Sequence, residues 1–307
     1  MGVRKLQTTN PHSQLIRFKG RMLFNVPMKE YTSMRIGGTA DVIAFPIDED
    51  DLKEILNFAY TKDFPVFFLG AGTNLLVKDS GIRGVVISLT HGFKEILWEN
   101  ENRAVAGAGV KLAEIVNECK ARGLSGIEWA VQIPGTIGGA VVMNAGAYSG
   151  EIKDVVSGVD VVDIKGNKEF IKKGDLRFSY RSCLLPSNHI ITRVHLEFKK
   201  DYEDRIEERL KEFKKMRQKA SAVKLSNAGC IFKNPDGLSA GKIIDEAGLK
   251  NTRIGNAMVS DVHANYIVNL GDAKARDVIS LIEIIKERVF KERGIKLEPE
   301  IKIIGEE

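Results

Sequence analysis

The sequence predicts a mixed α/β protein, and three observations support this fold class. Of its 307 residues, 43% are hydrophobic and 28% are charged, which is typical of a soluble globular protein. From Arg35 onward, amphipathic helical patterns alternate with short apolar runs bounded by glycine, the pattern of helices following strands. At ~100–200 residues per domain, the length also indicates two domains.

Local signals predict the elements of the first half. Asp48 is a candidate N-cap, and acidic residues follow it in the first turn, where they favour a helix N-terminus. Four apolar residues share one face of this helix: Leu52, Ile55, Leu56 and Ala59. Strands are predicted at 66–69 and, bracketed by Gly81 and Gly84, at 85–87.

The middle of the chain continues this alternation. A strand is predicted at 103–106, and a helix over 111–122 ends at Gly123, a suitable C′ residue. Residues 130–150 are rich in glycine and alanine with almost no charge, which indicates a buried loop against something large. An antiparallel strand pair follows at 155–163 and 169–171.

A highly charged segment, 201–219, opens the last part of the chain and is predicted to be a linker helix. Its acids come early and its bases late, as the helix dipole favours, and its apolar stripe is Ile206, Leu210, Phe213 and Met216. The predicted elements beyond it are a helix after Ser239, a strand at 267–270, a helix over 274–293 and a strand over 297–304.

Composition excludes several classes of protein. A net charge of +5, spread along the chain, does not suggest a nucleic-acid partner. No apolar run approaches the ~18 residues of a membrane helix, and residues 1–12 lack an apolar signal core, so a cytoplasmic protein is expected. Three cysteines without a CxxC pair and five histidines without an HExxH pattern predict neither disulfides nor a bound metal.

Glycine turns suggest a phosphate-containing ligand. Two segments, 70–75 and 107–112, imitate a dinucleotide fingerprint but lack its third glycine, so a Rossmann dehydrogenase is disfavoured. Backbone N–H groups of glycine turns can still bind phosphate. If the turns at 70–74 and 133–139 converge, with Asn74 as a further donor, they would bind a nucleotide cofactor; simple tight turns are the alternative.

Three further positions are candidates for a role in catalysis or binding, and each also has a more ordinary structural explanation. Arg181 stands beside Tyr180, although a surface arginine is the more common case. Cys230 follows a glycine and lies near Lys233, whereas most lone cysteines are inert and buried. Alternation places Glu298 and Glu300 on one face of the last predicted strand, where paired surface acids are the alternative.

Taken together, the motifs resemble the MurB family of UDP-N-acetylenolpyruvoylglucosamine reductases over about residues 24–305. Any one motif is weak, but their joint order and spacing are specific. They are Met34-Arg35-Ile36-Gly37-Gly38, Gly70-Ala71-Gly72-Thr73-Asn74-Leu75, Ile133-Pro134-Gly135-Thr136-Ile137-Gly138-Gly139, Asn144-Ala145-Gly146-Ala147-Tyr148, Tyr180-Arg181-Ser182, Gly229-Cys230-Ile231-Phe232-Lys233-Asn234, His263-Ala264-Asn265 and Glu300-Ile301-Lys302.

The resemblance implies an FAD-binding domain of the vanillyl-alcohol-oxidase type and a C-terminal α/β substrate domain. We expect a lead-in over 1–30, an FAD domain over 31–200, divided at about 77/78, and a substrate domain over 201–307. The implied cofactor-binding residues are Arg35, Gly70, Ala71, Gly72, Thr73, Asn74, Leu75, Pro134, Gly135, Thr136, Gly138, Gly139, Asn144, Gly146 and Ala147.

The implied activity is reduction of an enolpyruvyl ether of a UDP-sugar, with NADPH as co-substrate, in peptidoglycan precursor synthesis. Arg181 and Glu300 match the family's active-site arginine and glutamate, and Cys230 occupies the proton-donor position that is serine in many members. Substrate-binding positions would be Tyr180, Lys219, Lys233 and Asn234. The short stretch between Arg181 and Cys230 resembles the shorter subclass, and a monomer is expected.

Three rival hypotheses stay open on sequence alone. Another flavin oxidoreductase of the same fold would be reoxidised quickly by air. A nucleotide-binding module without flavin would be colourless even after FAD is added. A Rossmann dehydrogenase would need the glycines that both candidate fingerprints lack.

Overall fold

The computed structural model describes residues 18–186 and 188–307, apart from the side chains of 219–221. Its α-helices are α1 (Glu49–Thr61), α2 (Leu112–Ala121), α3 (Ile137–Val142), α4 (Glu203–Ser221), α5 (Ala240–Glu246) and α6 (Ala275–Arg293). Short 3₁₀ turns occupy Met28–Glu30, Glu128–Ala130, Ile152–Asp154 and Lys173–Asp175.

The strands are short, and most connect through tight turns. They are β1 (Arg21–Pro27), β2 (Thr39–Phe45), β3 (Val66–Leu69), β4 (Leu75–Val77), β5 (Ile82–Ser88), β6 (Ile96–Trp98), β7 (Arg103–Gly107), β8 (Leu124–Ser125), β9 (Gly146–Ala147), β10 (Gly150–Glu151), β11 (Val156–Asp163), β12 (Lys168–Lys172), β13 (Arg177–Ser179), β14 (Ser182–Leu184), β15 (His189–Glu197), β16 (Lys199–Lys200), β17 (Arg253–Ile254), β18 (Ala257–Val259), β19 (Ile267–Asn269) and β20 (Lys302–Ile304).

Contacts divide the chain into two compact units. Among the described residues, the first contains 18–24, 42–71 and 84–217, and the second contains 25–41, 72–83 and 218–307. These units differ from the continuous domains expected from the sequence, 31–200 and 201–307. Most of α4 belongs to the first unit, and two short early segments pack with the C-terminal part of the chain.

The first unit is built on sheets covered by helices. Its larger sheet has the order β12-β11-β15-β7-β6 with antiparallel neighbours, and a four-stranded sheet has the order β1-β2-β5-β3. α1 begins as predicted, because the Asp48 carboxylate accepts a hydrogen bond from the Asp51 N–H at 2.8 Å. The predicted apolar face of α1 is buried. α2 ends as predicted, with Gly123 at φ +64°.

Several sequence predictions for the first unit need correction. Residues 137–142 form α3 inside the expected loop, because the Thr136 hydroxyl caps its N-terminus by accepting from the Gly139 N–H at 3.3 Å. Gly84 lies within β5 and does not precede it. On α4, Ile206 and Leu210 are buried as predicted, but Met216 is 46% exposed.

The expected lead-in contains a strand. Residues 1–17 lie outside the described part of the chain, but β1 occupies Arg21–Pro27. Met22, Phe24 and Val26 stand at every second position, so the two-residue period of a strand places them on one face. Val26 is buried, and the other two pack against the core of the first unit.

The second unit combines two helices with small sheets. β17, β18 and β19 form an antiparallel sheet, and β4 pairs in parallel with β20, with Leu75 opposite Lys302. The final strand is shorter than the predicted 297–304, because residues 297–301 pair only through an isolated bridge between Phe232 and Pro299. Across the described residues, no helix is long and apolar enough to cross a membrane.

Asp79 stabilises the start of α6, which leads to a first prediction. Its two carboxylate oxygens accept hydrogen bonds from Ala275 N–H at 2.9 Å and Arg276 N–H at 3.0 Å. Asp79→Ala should lower the free energy of unfolding by about 1 kcal/mol, the usual cost of a lost N-terminal cap, and Asp79→Asn by less. Urea titration measures this, with Asp236→Ala at an exposed carboxylate as control. Equal midpoints for the two alanine variants would contradict the assignment.

Candidate functional site

The two glycine turns of the first unit lie against each other. A Cβ built on Gly70 would stand 2.9 Å from Thr136 Oγ1 and 4.0 Å from Gly139 Cα. A Cβ on Gly139 would meet only Thr136 Oγ1, at 3.3 Å, outside the helix's own backbone. Gly70 therefore lies close to the 133–139 turn, and the space in front of Gly139 is open apart from Thr136 Oγ1. That the segments 70–74 and 133–139 together bind a phosphate stays a prediction.

Other glycines of these motifs are required by the chain itself. Gly72 has φ +65°, and a Cβ there would overlap the Tyr31 carbonyl oxygen. A Cβ on Gly138 would come within 2.8 Å of the Ala108 side chain. A side chain at Gly72 or Gly138 would therefore disturb the fold. A methyl at Gly139 would instead enter the open space in front of it.

The Arg35 motif converges with the 72–79 segment inside the second unit. Ser33 N–H donates to the Gly72 carbonyl at 3.0 Å, and Gly38 N–H donates to the Lys78 carbonyl at 3.1 Å. Arg35 itself has φ +52°, a conformation that non-glycine residues rarely adopt. The buried Asn269 side chain holds this loop by donating from Nδ2 to the Met34 carbonyl at 3.0 Å.

Arg181 lies at the tip of a two-residue hairpin in the first unit. β13 and β14 pair antiparallel, with Ser179 opposite Ser182, and Arg181 has φ +56°. Its guanidinium carbon lies 4.9 Å from the centre of the Tyr180 ring. A cation and a ring at this distance attract each other, so Tyr180 helps to orient the guanidinium.

The side chain of Asn144, a predicted cofactor ligand, is hydrogen-bonded within the protein; its role toward the cofactor stays a prediction. Its side chain has no exposed surface, and Nδ2 donates to the Ser179 carbonyl at 2.9 Å. Asn144 therefore supports the hairpin that carries Arg181. Gly146 also lies near this side chain: an added Cβ there would come within 3.2 Å of Arg181 Nη1.

Cys230 and Glu300 come together in the second unit. The Ile231 carbonyl, next to Cys230, accepts a hydrogen bond from the Glu300 N–H at 2.8 Å. Asn74 Nδ2 donates to the Glu300 carbonyl at 3.1 Å, so one of its two amide hydrogens is committed to the protein and not to a phosphate. Seventy residues apart in sequence, the thiol and the carboxylate stand on adjoining segments.

Burial separates Cys230 from the other two cysteines. Cys119 and Cys183 are buried, whereas Cys230 is partly exposed. Burial raises the pKa of the Cys183 thiol to about 11 and raises that of Cys119 further. Near neutral pH, a reagent for thiolates should therefore react first at Cys230.

Two of the predicted substrate-binding residues, Lys233 and Asn234, have partners within the protein. Lys233 Nζ lies 3.4 Å from Glu298 Oε2, and the Asn234 side-chain oxygen accepts from the Ala240 N–H at 3.0 Å. The side chain of Lys219 lies outside the described part of the structure. The structure shows no group of His, Cys, Asp or Glu arranged to hold a metal within the residues it describes.

Sequence reasoning missed two supporting asparagines. Asn265 is 2% exposed and holds the segment after Cys230: its Oδ1 accepts from the Phe232 N–H at 2.9 Å, and its Nδ2 donates to the Phe232 carbonyl at 2.8 Å. Asn269 supports the Arg35 loop as described above. Asn265 belongs to the motif 263–265, and Asn269 lies in the predicted strand 267–270. An asparagine within a mostly apolar segment was the available signal.

Comparison with known proteins gives a consistent result. Residues 220–304 match the model for the C-terminal domain of UDP-N-acetylenolpyruvoylglucosamine reductase, and residues 40–169 match that of an FAD binding domain. The UDP-N-acetylenolpyruvoylglucosamine reductase of Syntrophus aciditrophicus is 42% identical over 94% of this chain and 93% of its own, and that of Caldanaerobacter subterraneus is 41% identical over 94% and 95%.

A solved structure extends the similarity to the fold. The crystal structure of the reductase from Thermus caldophilus matches with a TM-score of 0.79 and 37% identity, over 93% of this chain and 98% of that one. The predicted α/β fold with an FAD-binding domain is thus confirmed. With this similarity along nearly its whole length, the chain belongs to the UDP-N-acetylenolpyruvoylglucosamine reductase family and is an FAD-dependent oxidoreductase.

Proposed function

We propose that the chain converts UDP-N-acetylglucosamine enolpyruvate to UDP-N-acetylmuramate with NADPH, and that Arg181, Cys230 and Glu300 act on the substrate. The observation that supports it most is the pairing of the Cys230 and Glu300 segments in a member of this family. The chemistry that FAD would supply when bound is hydride transfer, from NADPH to the vinyl carbon of the substrate. Side chains of the protein bind the substrate carboxylate, polarise the intermediate and donate the proton.

Arg181 binds the substrate carboxylate in this proposal. Reduction of the double bond moves negative charge toward that carboxylate, and a fixed guanidinium stabilises the developing enolate more than the starting carboxylate. The left-handed backbone at Arg181 and the bond from Asn144 to the Ser179 carbonyl keep the hairpin in one conformation. Preorganisation of this kind is what such stabilisation requires.

Cys230 and Glu300 complete the substrate chemistry. The Cys230 thiol donates the proton to the carbon next to the carboxylate, and Glu300 polarises the same intermediate. The thiol must stay protonated to do so. Lys233, the nearest cation along the chain, is paired with Glu298, and this pairing weakens the tendency of its charge to stabilise a thiolate.

The biological setting follows from the same proposal. The product is a precursor of peptidoglycan, so the enzyme contributes to cell-wall synthesis, cell shape and division. We place it in the cytoplasm as a monomer, with a UDP-sugar as its partner. Incubation of the purified protein with NADPH and the enolpyruvyl substrate should give a product two hydrogens heavier by mass spectrometry; unchanged substrate would overturn the proposal.

The cofactor position gives a second prediction. Gly139→Ala should keep the fold, because the new methyl meets only Thr136 Oγ1 and alanine favours a helix. The methyl would occupy space in front of the glycine turn and weaken FAD binding about tenfold or more, since overpacking costs ~1–3 kcal/mol.

Flavin content and fluorescence titration with FAD measure this effect. Gly174→Ala is the matched control, because a Cβ there meets nothing within 4 Å. Normal FAD affinity in a folded Gly139→Ala protein would move the cofactor away from this turn.

A further inference from the structure

The hairpin that touches Arg181 has a strained turn. β9 and β10 pair with Ala147 opposite Gly150, which leaves Tyr148 and Ser149 as a two-residue loop. Both have positive φ, +52° and +68°, as a type I′ turn requires. That turn normally uses Asn-Gly, and a bulky tyrosine with positive φ is an outlier that its surroundings must hold in place.

A ring on α4 supplies that support. The rings of Tyr148 and Phe213 are stacked, with centroids 5.3 Å apart and planes 16° apart. Tyr148 is 38% exposed, and a cavity of about 320 Å³ lies beside the two rings. Because the tyrosine has room to move, contact with Phe213 and not enclosure fixes its position.

Phe213 is itself held by an ion-pair network one turn earlier on α4. Arg209 Nε donates to Glu128 Oε1 at 2.9 Å, and its Nη2 lies 2.7 Å from Asp201 Oδ2. Glu128 is buried, and its second oxygen accepts from the Gly126 N–H at 2.7 Å. Burial alone would lower the pKa of Arg209, but its hydrogen bonds to Asp201 and Glu128 raise it, so the network stays charged.

The other end of the hairpin reaches Arg181. Gly146, in β9, has its Cα so close to the guanidinium that a methyl there would lie 3.2 Å from Arg181 Nη1. A shift of β9 would therefore move the Gly146 backbone that lies against the guanidinium. Tyr180 contacts the same side chain, and Asn144 supports the turn that carries it.

We propose that the stack of Tyr148 on Phe213 is a positioning contact that sets the Arg181 guanidinium for substrate reduction. The inference rests on the proposed role of Arg181. Neither ring needs to touch the substrate. α4 holds Phe213, Phe213 holds the strained turn, and the turn holds the β9 backbone against Arg181.

Four variants test the proposal. Phe213→Leu removes one ring and keeps apolar volume, and Tyr148→Asn removes the other while suiting a left-handed turn. Tyr148→Phe keeps the stack. Phe170→Leu is the control, since it removes a half-exposed ring contact with His195 elsewhere in the first unit.

Stopped-flow spectroscopy of the FAD-loaded protein gives the first measurement. Phe213→Leu and Tyr148→Asn should reoxidise with the enolpyruvyl substrate ~10-fold more slowly, since small misplacements cost up to ~10²-fold. Reduction by NADPH should stay within about twofold of the parent rate. Tyr148→Phe and Phe170→Leu should match the parent, and Phe213→Leu should add no further loss in an Arg181→Met background.

Amide hydrogen exchange provides a measurement independent of turnover. Amides 146–151 should exchange faster in Phe213→Leu and Tyr148→Asn than in the parent, with or without bound cofactor, and unchanged in Phe170→Leu. Parent-like reoxidation in Tyr148→Asn, equal slowing of both half-reactions, or full additivity with Arg181→Met would each overturn the inference while leaving the proposed function in place. Parent-like reoxidation in Arg181→Met alone would overturn the role of Arg181 and this inference together.

Discussion

Arg181→Met is expected to leave reduction by NADPH nearly unchanged and to slow reoxidation by the enolpyruvyl substrate by ~10²–10³, the usual cost of removing a preorganised charge partner. Enolate charge develops only in the second half-reaction, so only that step needs the guanidinium. Methionine is a suitable replacement because, like arginine, it is not branched at Cβ, and β-branched residues fit the left-handed conformation of position 181 least well. The hairpin should therefore persist.

The partner variant Glu300→Gln should show the same asymmetry between the two half-reactions. Its backbone N–H and carbonyl bonds to Ile231 and Asn74 do not involve the side chain, so the fold around it should be retained. Glu287→Gln, at an exposed acid on α6, is the matched control. Stopped-flow traces in which Arg181→Met and Glu300→Gln slow both halves equally would contradict the assignment.

Cys230→Ala should lose ~10²–10⁴ in the rate of substrate reduction, which is the usual contribution of a positioned general acid. Reduction by NADPH should continue normally. Cys230→Ser should keep measurable turnover, because a hydroxyl can still donate a proton, though it is a much weaker acid than a thiol.

The pH dependence of turnover distinguishes the acid from an inert cysteine. The thiol must be protonated to act, so the rate should be full at low pH and fall as the pH rises and the thiol gives up its proton. In Cys230→Ser the alkaline limb should move upward, because the hydroxyl does not ionise in this range.

Alkylation offers an independent check on Cys230. The reagent should modify this residue before Cys119 and Cys183, whose thiol pKa values are raised by burial. Modification should mimic the alanine variant, and bound substrate should protect against it. Near-normal turnover in a folded Cys230→Ala protein, with substrate in excess, would show that the cysteine is structural.

Elements with strong local signals were predictable from the sequence. α1 combines a capping aspartate with four apolar residues at helical spacing, and both features act within a few residues of each other. α3 was not predictable in the same way. Its six residues include two glycines, which weaken a helix, and it forms because Thr136 caps it and the neighbouring chain buries it.

The candidate site was predictable in part. Convergence of the glycine turns followed from the chemistry of phosphate binding, and the geometry at Gly70 and Gly139 agrees with it. The support of the Arg181 hairpin by Asn144 was not foreseen, because the motif suggested a ligand-facing asparagine. Whether an amide faces a ligand or a buried carbonyl depends on tertiary packing, which the local sequence does not encode.

The proximity of the Cys230 and Glu300 segments could not be predicted from local sequence patterns. Spacing alone cannot bring together residues seventy positions apart, and the resemblance to a family supplied that expectation. The structure provides the physical reason: the bridge between Phe232 and Pro299 and the Glu300 N–H bond to Ile231 align the two segments.

The central claim is that the reduced enzyme delivers its electrons to the enolpyruvyl double bond. The most direct test is the visible spectrum of the FAD-loaded protein, reduced with one equivalent of NADPH without oxygen and then mixed with UDP-N-acetylglucosamine enolpyruvate. The account predicts that the oxidised flavin absorption returns in full as UDP-N-acetylmuramate forms in equal amount. If the absorption stayed bleached with this substrate and returned rapidly only on admission of air, the chain would be another flavin oxidoreductase of the same fold.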